Sequence, residues 1–203
     1  MNGIFKYLIV ALLAFLPAEY SAKASSPLER LYESLSTSCV MMKCDYTMTV
    51  GGITSKGDCA VELQGTCYKI QGGGLDITSD GESVWVLDQE AREVIIEPVS
   101  DDSYYLSNPV LLLKDMYKVF TITDQTATAS GVRYVLRASE PCGIEKAVLL
   151  ISNDAALLSA EFTLDDKSLM EFDVRSTEVS DKKGNGYFSR SSFSSDWIVM
   201  DLR

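Results

Sequence analysis

Apolar and polar residues alternate with a period of two along most of this chain, and that alternation limits the folds open to it. Clear stretches occupy residues 44–50, 132–137 and 158–164. A period of two is typical of antiparallel strands that bury one face and expose the other. Turn signals such as Gly51-Gly52 separate the stretches, and the connections are too short for parallel crossovers. The pattern predicts about ten strands in meander order.

Two short helices are expected beside the strands. Ser26-Pro27-Leu28-Glu29 is a capping box with proline at the first helical position. Asn108-Pro109 begins the second helix, and the four apolar residues 110–113 predict that it is buried on most sides. The first helix carries its apolar residues at the spacing of one helix face: Leu28, Leu31, Tyr32 and Leu35.

The predicted strands share one apolar face that two short helices are too small to cover. A sheet of this size curls and buries that face inside itself, which predicts an α+β, mostly antiparallel barrel or half-barrel. Two kinds of interior are consistent with the pattern. The barrel is either filled by its own side chains, or it keeps an apolar interior that binds a hydrophobic ligand.

Residues 1–24 have the pattern of a secretory signal peptide. Lys6 supplies a positive charge, residues 7–16 form an uncharged apolar run, and Ala22-Lys23-Ala24 is a cleavage site. The run is about half the length of a membrane-spanning helix, so no stable membrane insertion is expected. We therefore expect cleavage after Ala24, export, and a single domain over residues 25–203.

Composition narrows the possible functions. The net charge of −11 excludes a typical nucleic-acid binder, because phosphate contacts need clustered Lys and Arg. The chain has no histidine, which removes Ser-His and Cys-His nucleophile pairs and the commonest zinc ligand. We expect no metal, no cofactor, no catalytic residue and no enzymatic activity. A hydrolase with paired carboxylates is the alternative, although Asp165-Asp166 is typical of a solvated turn.

Two of the five cysteines are placed for pairing. Cys44 and Cys59 lie symmetrically about Gly51-Gly52, since 51 − 44 = 7 and 59 − 52 = 7. In a hairpin this symmetry puts them opposite each other, where a cross-strand disulfide can form. The odd number of cysteines leaves at least one without a partner in the chain.

The order of several motifs resembles that of periplasmic outer-membrane lipoprotein carriers, the LolA-like family. The match begins with a strand–turn–strand at residues 57–70, followed by Asp80-Gly81 and then Trp85 in residues 79–88. It continues through residues 93–98, 108–112 and 197–203. The shared order covers essentially all of residues 25–203.

The resemblance implies both a fold and a function. The fold is a strongly curved, unclosed half-barrel with short helices over its apolar concave face. The function is that of a monomeric, soluble periplasmic carrier, which holds the acyl chains of lipoproteins in a hydrophobic cavity and shuttles them from the inner to the outer membrane. Its partners are acylated lipoproteins, an inner-membrane lipoprotein-releasing transporter and an outer-membrane acceptor. The alternative is a periplasmic lipid- or acyl-binding sensor module that regulates a membrane partner.

Candidate ligand-binding residues combine the apolar strand faces with the positions that match the family. Trp85 fits a core position as well as a cavity wall. The family's Arg-Pro pair after the second strand is absent, since residues 63–67 read Leu-Gln-Gly-Thr-Cys, so no release residue is assigned. The candidates are Tyr46, Met48, Val61, Leu63, Trp85, Leu111, Leu112, Tyr134, Phe162 and Phe172.

Overall fold

A single twelve-stranded sheet dominates the computed structural model, which describes residues 25–99, 118–184, 186–190 and 193–203. The sheet is curved and does not close. The predicted signal peptide, the predicted helix at Asn108-Pro109, and the candidates Leu111 and Leu112 lie outside the described residues. Within them, no helix is long and apolar enough to cross a membrane.

One helix, α1, spans Pro27–Thr37 and precedes all of the strands. The strands are β1 (Cys39–Val50), β2 (Ile53–Gln64), β3 (Cys67–Gly72), β4 (Leu75–Ser79), β5 (Ser83–Asp88), β6 (Glu93–Pro98), β7 (Phe120–Ala127), β8 (Val132–Ala138), β9 (Ile144–Ile151), β10 (Leu157–Leu164), β11 (Leu169–Ser180) and β12 (Ile198–Asp201).

The strand order is β12-β6-β5-β4-β3-β2-β1-β11-β10-β9-β8-β7. Two meanders, β1 to β6 and β7 to β11, join where β1 pairs with β11, and all pairs within and between them are antiparallel. The predicted half-barrel with mostly antiparallel strands is confirmed. The predicted count of about ten strands is too low.

Short strands account for the difference in strand count, and one pairing departs from the predicted meander order. Strands β3 to β5 are only five or six residues long, so each shows few alternations in the sequence. The apolar run after Trp197 does form β12, as expected, but it pairs with β6 in parallel and therefore does not continue the meander. The long connection after β11 makes this parallel pairing possible.

The predicted capping box at the start of α1 is confirmed. The Glu29 backbone N–H donates to Ser26 Oγ at 3.2 Å, and the Ser26 N–H donates to Glu29 Oε2 at 2.6 Å. Pro27 occupies the first turn, where its missing N–H costs nothing. Leu28, Leu31 and Leu35 are buried, as their spacing predicted.

Both ends of α1 are tied to loops at the same end of the sheet. The Arg30 guanidinium donates to the carbonyl of Asn153 in the β9–β10 loop at 2.6 Å. The Gly65 N–H in the β2–β3 turn donates to the Leu35 carbonyl at 3.1 Å. The helix therefore lies across the sheet near these two loops.

The buried apolar residues form two separate clusters. The larger packs α1 against strands from both meanders, and includes Val40, Leu63 and Tyr68. We call the sheet face that contacts α1 the inner face. The smaller cluster contains Trp85, Leu87, Val94 and Ile96, with Phe193 and Trp197 packed on it. The cross-strand register, described below, puts it on the opposite, outer face.

Replacing the helix cap tests how much the capping box stabilises α1. We expect Ser26→Ala to lower the free energy of unfolding by about 1 kcal/mol, because an N–H in the first turn loses its acceptor. Urea denaturation measures the change. Ser36→Ala is the matched control, since the Ser36 hydroxyl donates to the Tyr32 carbonyl within the helix, a bond that adds little stability. An equal loss in both variants would contradict a capping role.

Candidate functional site

Methionine and aromatic side chains gather on the inner face, at the end of β1 far from α1. Tyr46 pairs with Phe172, and Met48 pairs with Met170, across β1 and β11. Phe162 pairs with Met170 across β10 and β11, and its ring meets that of Phe172 edge-on with centroids 6.2 Å apart. All five side chains are half-buried. We call these five residues the Met/aromatic cluster.

Glycines shape the surface beneath Tyr46. A Cβ atom on Gly57, its partner in β2, would lie 2.6 Å from Tyr46 Oη. A Cβ on Gly73, in the β3–β4 turn, would lie 3.2 Å from the same atom. The tyrosine ring therefore lies across β2 and reaches the β3–β4 turn because both positions lack a side chain.

A row of aliphatic residues extends the half-buried surface toward β5. Val61 pairs with Ile70, Ile70 with Ile77, and Ile77 with Val86. Each of the four side chains is half-buried. Cross-strand partners share a face of the sheet, and so do residues two positions apart in one strand. Val61 is two residues from Leu63 and Ile70 is two residues from Tyr68, so the row lies on the inner face.

The sequence candidates divide between these surroundings. Tyr46, Met48, Val61, Phe162 and Phe172 lie half-buried on the inner face, where they form the Met/aromatic cluster and the start of the aliphatic row. Leu63 and Tyr134 are instead fully enclosed in the larger core cluster. Met170 belongs to the Met/aromatic cluster but was not among the ligand candidates, although its alternation with Glu171 signalled the same face.

Trp85 lies on the opposite face of the sheet from the Met/aromatic cluster, in the core position that its sequence also fits. It pairs with Thr78, which pairs with Lys69, which in turn pairs with Glu62. This row is offset by one residue from the Val61 row and faces the opposite side of the sheet. Trp85 is buried there, in the smaller cluster. Both faces of β5 carry apolar residues, so the alternation alone did not identify the inner one.

The part of the outer face formed by β2 to β6 is covered by the chain that follows β11. We call its described residues, 182–184, 186–190 and 193–203, the C-terminal segment. Lys69 Nζ lies 3.6 Å above the centre of the Tyr187 ring, a cation–π contact. The Tyr187 hydroxyl donates to Glu62 Oε2 at 2.8 Å. These contacts explain why a polar stretch of sequence covers an apolar cluster.

An ion pair between the half-buried Arg190 and the buried Asp76 joins the same segment to β4. The Arg190 guanidinium donates to Asp76 Oδ2, and its Nε lies 3.3 Å from Thr78 Oγ1. Asp76 is 8% exposed, and its second carboxylate oxygen has no hydrogen-bond partner among the described residues. Because a buried carboxylate is costly without a counter-charge, Arg190 is what makes Asp76 acceptable at this position.

Two tyrosine hydroxyls are enclosed in the larger cluster. The side chains of Tyr68 and Tyr134 are fully buried, and neither hydroxyl completes a hydrogen bond with the described residues. Burial raises the pKa of Tyr68 to about 12, while the nearby Ser79 hydroxyl acts in the opposite direction. The phenol of Tyr68 therefore stays neutral over the whole physiological range.

The half-buried inner surface is suited to a flexible hydrocarbon. Methionine and aromatic side chains adapt their shape to apolar ligands and contribute large contact areas. The charged side chains of β1 and β11 occupy the other face: Asp45 and Arg175, for example, form an exposed ion pair at 3.5 Å. The charges of Asp45 and Arg175 therefore do not lie beside the apolar contacts of the inner surface.

Comparison with known proteins finds similarity in fold. No family model and no curated protein matches the chain. An uncharacterized conserved protein from Thermus thermophilus is 13% identical, with a TM-score of 0.54 over 86% of this chain and 96% of that one.

Two further solved structures are similar to this chain. A LolA superfamily protein from Nitrosomonas europaea is 12% identical, with a TM-score of 0.44 over 81% of this chain and 96% of that one. A putative outer membrane lipoprotein-sorting protein domain from Vibrio parahaemolyticus is 10% identical, with a TM-score of 0.43 over 79% and 94%. The likeness to the Thermus thermophilus protein is one of fold.

Removing the Arg190 cation tests the attachment of the C-terminal segment. We expect Arg190→Ala to lower the free energy of unfolding by about 1–3 kcal/mol, because the Asp76 carboxylate stays buried without a counter-charge. Arg92→Ala is the control: it breaks an exposed pair with Asp196 and should cost less than about 1 kcal/mol. Urea denaturation compares the two. Equal losses would show that the ion pair does not anchor the segment.

The buried phenol predicts a pH dependence at alkaline pH. The pKa of Tyr68 is raised from 10.0 to about 12, so its contribution to stability is complete below about pH 10 and disappears as the pH rises toward 12. As the pH rises from 10 to 12, we expect the free energy of unfolding of Tyr68→Phe to fall by about 2–3 kcal/mol less than that of the wild type. At pH 7 the variant should be at least as stable as the wild type, since an unpaired buried hydroxyl is removed.

Chemical denaturation of both proteins at a series of pH values measures this difference. Identical pH profiles for Tyr68→Phe and wild type would contradict the buried, neutral phenol.

Proposed function

We propose that this protein binds acyl chains on the part of its inner face beyond α1 and carries acylated lipoproteins through the periplasm. One observation carries the proposal: the Met/aromatic cluster lies half-buried at the end of the inner face that α1 leaves open. The core of a water-soluble protein does not require five adjacent methionine and aromatic side chains in a partly open position. A hydrocarbon ligand would complete the burial of these side chains.

The energetics favour such a ligand. An exposed acyl chain costs about 0.8 kcal/mol per CH₂ in water, so a soluble carrier must replace that water with apolar contacts. Tyr46, Phe162 and Phe172 supply flat contact surfaces, and Met48 and Met170 supply flexible ones. The aliphatic row from Val61 to Val86 lengthens this apolar surface across four strands.

The helix is placed to act as a movable cover. Its apolar face packs on the inner face, and its ends are tied to loops by the hydrogen bonds from Arg30 and to Leu35. A shift of α1 would open the buried part of the inner face around Leu63 and Tyr68 to an acyl chain. Uptake and release would then follow the position of α1.

The transport part of the proposal rests on the sequence. Residues 1–24 are proposed to be cleaved after Ala24, which leaves residues 25–203 as one monomeric domain in the periplasm. The net charge of −11 opposes prolonged attachment to anionic lipid, as a shuttle requires. Its proposed partners are an inner-membrane lipoprotein-releasing transporter and an outer-membrane acceptor.

Binding of a palmitoylated peptide tests the site directly. We expect the wild type to bind it and Phe172→Ala to bind it about tenfold more weakly, because a large part of the contact area is lost. Glu171→Ala is the matched control, since the adjacent Glu171 side chain is exposed on the outer face. Trp85→Phe is a second control on that face, and both controls should bind within about twofold of wild type.

Fluorescence titration measures the affinities, and circular dichroism confirms that each variant is folded. A wild type that binds no palmitoylated peptide, or a Phe172→Ala variant with unchanged affinity, would overturn the proposed site. Depletion in cells tests transport separately: lipoproteins should accumulate in the inner membrane. Normal lipoprotein localisation combined with intact binding would favour the sensor alternative.

A further inference from the structure

We propose that Cys44 and Cys59 form a disulfide across β1 and β2 when the protein folds in an oxidising environment. The proposal does not depend on the carrier function. It follows from the strand register, the burial of the two side chains and the space around them.

The register places the two cysteines directly opposite each other. Gly51 and Gly52 form a two-residue turn with φ of +57° and +83°, as in the type I′ turns that match strand twist. Val50 and Ile53 close the turn, and the pairing then runs without a shift to Cys44 and Cys59. The predicted register of the two cysteines is therefore confirmed.

The spacing between the two strands suits a disulfide. The cysteine pair lies six residues beyond the closing pair on each strand, since 50 − 44 = 6 and 59 − 53 = 6. It is therefore a hydrogen-bonded pair like the closing one, with a Cα–Cα separation of about 5.5 Å. Disulfides span Cα–Cα distances of roughly 4.4–6.8 Å.

The side chains already meet on the inner face. Cys44 is 4% exposed and Cys59 is 8% exposed, and each thiol shifts the pKa of the other. Gly72 pairs with Cys59 on its other side, and a Cβ atom at Gly72 would lie 2.8 Å from the Cys59 Cβ. The absence of a side chain at Gly72 gives Cys59 room to adopt the rotamer that a disulfide requires.

The other three cysteines are engaged elsewhere. The Cys67 thiol donates to the Asp80 carbonyl at 3.1 Å, and the Cys142 thiol donates to the Ile144 carbonyl at 3.3 Å. Cys39 lies opposite Ser180 in β11. Among the described residues, Cys44 and Cys59 are thus the only two cysteines that pair with each other across neighbouring strands.

The interaction between the two thiols also favours one sulfur as the attacking group. It holds the pKa of Cys59 below its usual value, whereas the same interaction and burial raise the pKa of Cys44. The Cys59 thiolate attacks an external disulfide, such as oxidised glutathione, and releases one thiolate. Cys44 then loses its proton and attacks the mixed disulfide at Cys59, which releases the second thiolate. The two cysteines are oxidised and one external disulfide is reduced to two thiols.

Refolding with a defined oxidant tests the pairing. The reduced, unfolded protein is refolded with reduced and oxidised glutathione, denatured, alkylated with N-ethylmaleimide and mapped by mass spectrometry. We expect a mass loss of about 2 Da before alkylation, three alkylated cysteines, and one linked peptide pair containing Cys44 and Cys59. Five alkylated cysteines, or a bridge that uses a different cysteine, would overturn the proposal.

Thermal unfolding supplies an independent measurement. Closing this short loop should raise the Tm of the wild type by about 6–12 °C relative to the reduced protein. Cys44→Ser should abolish that shift, whereas the control Cys67→Ser should retain it. A shift that persists in Cys44→Ser would contradict the assignment. If Cys44→Ser does not fold, the peptide map of the wild type decides the pairing alone.

Discussion

The structure depends on the pairing of β1 with two strands at once. Its twelve residues bond to β2 on one edge and to β11 on the other, so β1 joins the two meanders into one sheet. The pairing with β2 joins residues that are close in sequence, whereas the pairing with β11 joins residues that are far apart in sequence, such as Cys39 and Ser180. A bulge between Lys43 and Cys44 on the β11 side adds local twist. Without the β1–β11 pairing the inner face would be two unconnected halves.

The unequal burial of that inner face follows from element lengths. Helix α1 has eleven residues and is about 16 Å long, whereas the twelve residues of β1 extend roughly 40 Å. A helix of that length, tied at both ends to loops on one side of the sheet, leaves the far end of β1 uncovered. Val40 is therefore buried, and Tyr46 and Met48 on the same strand face are only half-buried. The proposed binding surface is the part of the sheet that the helix is too short to reach.

Local sequence signals predicted the features that depend on neighbouring residues. The capping box at Ser26, the alternation through Phe162 and Phe172, and the symmetry of Cys44 and Cys59 about two glycines each involve only a few positions. Long-range features left no such signal. Arg190 stands in a polar stretch without periodicity, and nothing nearby marks it as the partner of Asp76. Trp85 lies in a strand that is apolar on both faces, so period two could not show which face is covered by α1.

The parallel pairing of β12 with β6 has a consequence for folding of the newly made chain. Synthesis from the N-terminus delivers β6 long before β12, although Ile198 pairs with Glu93 in the folded protein. Until then β6 has an unpaired edge, and the indole of Trp85 lacks the cover that Phe193 and Trp197 provide. An unpaired edge beside exposed apolar side chains is prone to intermolecular pairing. The interval between the two strands is therefore one in which a partly synthesised chain is vulnerable to aggregation and would benefit from a holdase.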